Sequence, residues 1–179
     1  MKVAVIKYNA GNIRSVDYAL KRLGVEAVIT SDKEVLKAAD KVIFPGVGEA
    51  ETTMLHLKES GMDRFIKELR EEGNVGCLGI FDTDVKRFVP RKHEDKVPHM
   101  GWNTIGQLKS DLFKGFTRDE FVYFVHSYYV PVSEFTAAET DYIHPFSAAL
   151  HKDNFYATQF HPEKSGVAGE RIIKNFLEL

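Results

Sequence analysis

Short unbroken apolar runs alternate with stretches of helical spacing through the first third of the chain. Val3–Ile6 is such a run and predicts a strand buried on both faces of a parallel sheet. Asn9-Ala-Gly-Asn12 reads as a turn, with Asn12 placed to cap the first helix. Val16, Ala19, Leu20 and Leu23 recur at helical spacing until Gly24 ends the pattern. Ala27–Ile29 is a second strand, Ser31 or Asp32 caps a helix over 33–39, and Val42–Phe44 is a third strand. This β-α-β-α-β order predicts a parallel sheet with right-handed crossovers. Two further helices come next, over 50–59 and after a cap at Asp63, with Gly61 between them, and residues 71–74 read as a turn.

Beyond that point the pattern becomes β-rich. Cys77–Phe81 is short and apolar, and 82–89 alternates like an exposed strand. Residues 90–96 form a charged, solvated loop. Val97–Ile105 reads as a strand kinked at Gly101, 111–116 as a short helix, and Phe121–Val130 as one strand rich in aromatics. Segments 135–141 and 145–150 are expected to pair antiparallel with 154–160. A closing helix over 169–179 carries Ile172, Ile173, Phe176 and Leu177 on its apolar face.

With 179 residues, the chain is expected to form one domain, 1–179. Its 44% hydrophobic and 28% charged content is ordinary for a globular protein. A net charge of -2 gives no electrostatic reason to expect nucleic acid or an anionic membrane. No apolar run reaches membrane-spanning length, and Met1–Lys7 reads as a first strand rather than a signal peptide. The single cysteine, Cys77, excludes an internal disulfide and fits a reducing, cytoplasmic setting. Phosphate-loop and zinc-ligand spacings are absent, so no metal or organic cofactor is expected.

The candidate chemistry lies near the C-terminus. A strand ending at Phe160 runs into His161-Pro-Glu163, and residues two apart on an extended backbone share a face. A carboxylate beside an imidazole fixes its tautomer and stabilises the imidazolium, which is the base-and-orienter half of a nucleophilic triad. A turn with a surface ion pair is the competing reading.

The stretch Tyr156-Ala-Thr-Gln-Phe-His-Pro-Glu-Lys-Ser-Gly166 resembles the His/Glu signature of class I, triad-type glutamine amidotransferases, and within them the glutaminase subunits of imidazole glycerol phosphate synthase. Tyr8-Asn-Ala-Gly-Asn-Ile13, Phe44-Pro-Gly-Val-Gly-Glu49, Pro98-His-Met-Gly-Trp-Asn103 and Phe124-Val-His-Ser-Tyr128 agree, in the family's order. The resemblance implies an α/β, flavodoxin-like fold with a mostly parallel sheet flanked by helices and antiparallel strands in the C-terminal half. It implies glutamine as substrate and a heterodimer with a cyclase subunit. His161 becomes the general base and Glu163 its orienter, in one cleft with the Gly46, Val47 and Gly48 loop, which holds the oxyanion and contacts glutamine. His126, Ser127 and Tyr128 become a wall of the glutamine pocket. Asn12, Trp102 and Lys164 fall at the partner interface, although Trp102 on its own also reads as a core aromatic.

One block departs from the family. The nucleophilic thiolate sits on a buried strand, a Gly-x-Cys-x-Gly turn and a helix whose N-terminus lowers the thiol pKa. Around Cys77 the first glycine comes one position late, a polar turn precedes it and a strand-like run comes after it. Cys77 is therefore expected to be a look-alike, with the true elbow missing near Arg70–Glu71. Two other readings stay open: a docking module that hydrolyses nothing, and a flavodoxin-like binding domain that leaves His-Pro-Glu without a role.

Overall fold

The computed structural model describes residues 1–8, 12–46, 50–68, 80–117 and 120–179. Cys77, the expected turn at 71–74 and the Arg70–Glu71 junction lie outside the described residues. The chain divides into two compact units, Met1–Ile80 and Phe81–Leu179.

The first unit carries the parallel sheet that the apolar runs predict. Strand β1 (Val3–Ile6) is buried along its whole length and is paired on both edges. It lies between β2 (Ala27–Thr30) and β3 (Lys41–Ile43), both parallel to it. Helix α1 (Ile13–Arg22) buries Ala19 and Leu20 and is closed by Gly24 at φ +73°, a conformation L side chains rarely adopt. Asp32 caps α2 (Lys33–Lys37): its carboxylate accepts the Glu34 N–H at 2.9 Å. Asn12 caps α1 differently from expectation. It makes no side-chain bond to the helix backbone; its Oδ1 accepts the Ser15 hydroxyl at 2.7 Å. Helices α3 (Ala50–Ser60) and α4 (Met62–Glu68) meet at Gly61. Asp63 lies within the first turn of α4 rather than at its cap, where a carboxylate still complements the helix dipole.

The second unit is built from short antiparallel strands and one helix. Of the expected strand 82–89, only β4 (Lys86–Arg87) forms. Strand β5 (His99–Thr104) pairs with β6 (Phe121–His126), and β7 (Tyr128–Tyr129) pairs with β4. The single strand expected over Phe121–Val130 is thus broken at Ser127. Its two halves have different partners, and the Ser127 carbonyl accepts the Phe88 N–H at 3.0 Å. Strands β8 (Thr136–Tyr142), β9 (His144–Lys152) and β10 (Phe155–Thr158) are antiparallel as expected, but in the order β10-β9-β8, so β8 pairs with β9 and not with β10. The expected helix at 111–116 is a 3-10 turn over Asp111–Phe113. Helix α5 (Gly166–Glu178) starts three residues before the expected one, since Gly166 and Val167 face solvent and add nothing to the apolar periodicity. Phe88, Phe124, Phe146, Phe160 and Ile172 anchor the core of this unit.

Candidate active site

His161 and Glu163 are brought together by an extended His161 followed by a turn, rather than by a backbone extended through both. Strand β10 ends at Thr158, and Pro162–Lys164 form a 3-10 turn with Pro162 in its first positions. Proline suits that place because its φ is already near the helical value and its missing N–H would have had no partner there. The turn lets His161 Nδ1 donate to Glu163 Oε1 at 2.9 Å. A carboxylate only accepts, so the proton sits on Nδ1 and Nε2 is left as the basic nitrogen. The Glu163 side chain is 7% exposed and that of His161 26%. The orienting carboxylate is therefore shielded while the imidazole stays reachable.

Three contacts that sequence reasoning missed hold this turn in place. The His161 N–H donates to the Tyr123 carbonyl at 2.9 Å. The Tyr123 N–H donates back to Ser165 Oγ at 2.9 Å, and that hydroxyl donates to the His161 carbonyl at 2.6 Å. Both backbone groups of Tyr123 are thus tied to the dyad's turn, one through His161 and one through buried Ser165. Behind it, α5 approaches so closely that a Cβ on Gly169 would stand 1.9 Å from the Pro162 carbonyl oxygen. The far part of α5 is pinned by buried Asn175, whose amide donates to the Leu112 and Lys114 carbonyls at 2.9 Å each. The available signal was the small residue type at 165 and at 169, one helical turn apart.

His126 lies at the end of β6 and is a hydrogen-bonded, part-buried histidine, as a core histidine should be. Its ring meets His99 at 3.1 Å (Nε2 to Nδ1), and its Nδ1 lies 2.7 Å from the Tyr128 carbonyl. Burial, then the charge of His126, pulls the His99 pKa down to about 4. Burial also holds His126 below the usual histidine value, against the opposing pull of the Tyr128 carbonyl and with the added effect of His161.

This depressed pKa makes stability depend on pH. Unfolded histidine takes up a proton near pH 6.5 while folded His99 resists until about pH 4, so the unfolded state binds more protons across that window. Stability is complete above the unfolded value and is lost as pH falls from about 6.5 to about 4. At roughly 1.4 kcal/mol per unit, His99 accounts for a loss of about 3 kcal/mol at most. Urea unfolding at pH 7 and pH 4.5 should show this loss in the unsubstituted chain and a flatter slope in His99→Gln. Equal slopes would count against it.

In the first unit, β3 leads through Phe44 and buried Pro45 to Gly46, at the C-terminal end of the parallel sheet where ligands of such sheets bind. The Tyr8 hydroxyl donates to the Pro45 carbonyl at 2.7 Å and lies 3.2 Å from that of Gly46. Burial pushes its pKa up to about 12. Val47 and Gly48 lie outside the described residues. Among the candidate interface residues, Trp102 is 55% exposed, which overturns its reading as a core aromatic. It packs edge-on against Tyr123, in register across β5 and β6, beside exposed Met100. Lys164 is exposed and Asn12 half-buried. No group of His, Cys, Asp and Glu among the described residues could hold a metal ion.

A family model described as glutamine amidotransferase class-I matches residues 4–179. The chain belongs to the class-I glutamine amidotransferase family. Within the amidotransferases it is 88% identical to an imidazole glycerol phosphate synthase subunit HisH of Bacteroides fragilis, over 100% of both chains. It is 74% identical to the HisH subunit of Bacteroides thetaiotaomicron, again over 100% of both. The fold is shared with a solved structure described as a glutamine amidotransferase, at a TM-score of 0.72 and 22% identity, covering 99% of this chain and 98% of that one. The alignment with the Bacteroides fragilis HisH subunit spans 196 positions, whereas this chain has 179 residues, so at least 17 aligned positions have no residue here.

Proposed function

We propose that this chain is the glutaminase subunit of an imidazole glycerol phosphate synthase, hydrolysing glutamine to glutamate and ammonia for a cyclase partner in the cytoplasm. The observation that carries the reading is the His161–Glu163 pair, with Nδ1 committed to a shielded carboxylate and Nε2 left basic. In that role His161 takes the proton of the family's elbow thiol, a group that no residue of this chain is assigned to supply, as sulfur attacks the amide carbon, and returns it to the departing ammonia. Water then cleaves the thioester, with His161 again as base, and glutamate leaves. Glu163 stabilises the imidazolium formed in each step. The Gly46–Gly48 loop supplies oxyanion donors and contacts glutamine, Ser127 and Tyr128 line its pocket, and Asn12, Trp102 and Lys164 face the cyclase. The exposed apolar Met100 and Trp102 support that docking face, since aromatic residues and methionine are favoured in interface cores. We take both compact units as one amidotransferase domain, because the family match runs through them.

A second reading has the chain dock to the cyclase without a competent thiol; the HisH relatives support the glutaminase and not this alternative. One experiment separates the two. The cyclase subunit is assayed with this chain, supplied with either glutamine or ammonium. Turnover with glutamine that depends on the chain supports the glutaminase. Turnover with ammonium alone, together with co-elution of the two chains, selects the docking module. Failure of the chains to associate would defeat both.

A further inference from the structure

The strand break at Ser127 needs something to hold it, and the side chain that does so is His126. Strand β6 ends at His126 on β5, and the chain then moves to β4 at Tyr128. His126 reaches forward two residues to the Tyr128 carbonyl at 2.7 Å. A carbonyl only accepts, so Nδ1 of His126 carries a proton. In a neutral ring Nε2 is then bare, and it accepts the His99 Nδ1–H at 3.1 Å. The opposite polarity would require a doubly protonated, cationic His126. The surroundings oppose that charge: the ring of His126 meets those of Phe88, Phe124 and Phe146. His99 is stacked between Phe124 at 4.8 Å and Tyr142 at 3.9 Å.

We propose that His99 and His126 form a neutral, tautomer-locked imidazole pair that shapes the Ser127–Tyr128 backbone for glutamine, which makes both of them positioning residues. The proposal rests on the reading of Ser127–Tyr128 as a wall of the glutamine pocket. Both ring nitrogens of His126 are engaged within the chain, so it contributes to that wall by bracing the backbone rather than by offering its ring to the substrate. His99 adds the second constraint: by donating to Nε2 it leaves His126 one neutral tautomer, the one that holds Tyr128. The titratable groups that bear on the pair are His161, whose charge acts on His126, and the Tyr142 ring stacked on His99. A neutral His126 also places no second positive charge near the imidazolium that His161 forms during turnover.

The test has two arms. In the first, the full chain labelled with 15N at histidine is examined by long-range proton–nitrogen correlation at pH 7.5. His99 and His126 should both be neutral with the proton on Nδ1, the tautomer that free histidine disfavours. A His126 protonated on Nε2, or cationic at that pH, would overturn the proposal whatever the chain does with glutamine. In the second, glutamine binding is measured by calorimetry for His126→Asn, His126→Leu and His99→Phe. Asparagine keeps an N–H where Nδ1–H stood and should bind within about threefold of the unsubstituted chain. Leucine should weaken binding about tenfold or more, and His99→Phe by an intermediate factor. Unchanged affinity in His126→Leu would overturn the positioning role. If the unsubstituted chain binds no glutamine, the pocket reading and the substrate role of the pair fall together, and the brace is judged by the tautomers alone.

Discussion

His161→Ala is expected to lower glutamine-driven turnover of the assembled synthase about a thousandfold, while ammonium-driven turnover and subunit association stay within about twofold. General acid–base catalysis by a positioned side chain contributes roughly a hundredfold to ten-thousandfold, and here one imidazole is assigned two transfers, from the thiol and to the ammonia. Alanine removes Nε2 but leaves the backbone of residue 161, whose N–H and carbonyl hold the turn through Tyr123 and Ser165. The fold should therefore survive. Glu163→Gln should give a smaller loss, because an amide still holds the ring but no longer balances the imidazolium. The measurement is product formation with glutamine and with ammonium, side by side, for each variant. Glutamine-driven turnover retained in His161→Ala would remove His161 from the base role. No glutamine-driven turnover in the unsubstituted chain would assign it to the docking reading, in which His161→Ala changes nothing.

Gly169→Ala is expected to cost about 2 kcal/mol of stability even though alanine is the better helix former. The added methyl would stand 1.9 Å from the Pro162 carbonyl oxygen and 2.9 Å from Ser165 Cβ. The first neighbour is backbone and cannot rotate aside. Overpacking of this kind costs roughly 1–3 kcal/mol and occasionally more, against a propensity gain of about 1 kcal/mol. Relief requires α5 to move away from the turn that carries His161 and Glu163, while Asn175 and Arg171 hold the helix to the Leu112–Gly115 segment. The strain therefore falls on the dyad. Urea unfolding of Gly169→Ala should show the loss, and Gly106→Ala, where no atom lies within 4 Å of an added methyl, should show almost none. A change below about 0.5 kcal/mol at Gly169 would mean that the helix and turn separate freely, and Gly169 would lose its place in the site.

The parts of the fold legible in the chain are those that local pattern encodes. Val3–Ile6 is unbroken and apolar because successive side chains point to opposite faces of the sheet and all four are buried. The β8–β10 meander shows as short runs separated by turns, and in the first unit the Gly24 stop and the Asp32 cap mark α1 and α2. His161 and Glu163 were legible for the same reason, since the two residues that must meet are two apart. The extended backbone holds at His161 but not at Glu163, because the chain turns as a 3-10 helix over Pro162–Lys164, which also brings such neighbours together. Phe121–Val130 was misread as one strand because β-propensity describes how a residue sits in a sheet, not which strand pairs with it.

Pairing across the chain was decided by the tertiary structure. Ser165 meets Tyr123 across 42 residues, and His99 meets His126 across 27. Neither pairing leaves a periodic trace, because the energy of such a contact depends on two segments reaching the same place rather than on the composition of either. Gly169 carries no pattern for the same reason: the need for a missing side chain exists only where the Pro162 carbonyl arrives. The proposed acid–base pair was thus written locally, in the types and spacing of His161 and Glu163. Its rigidity, its shielding and the neutral histidines beside it come from packing, which places groups distant in the chain within hydrogen-bond reach and keeps water from competing for them.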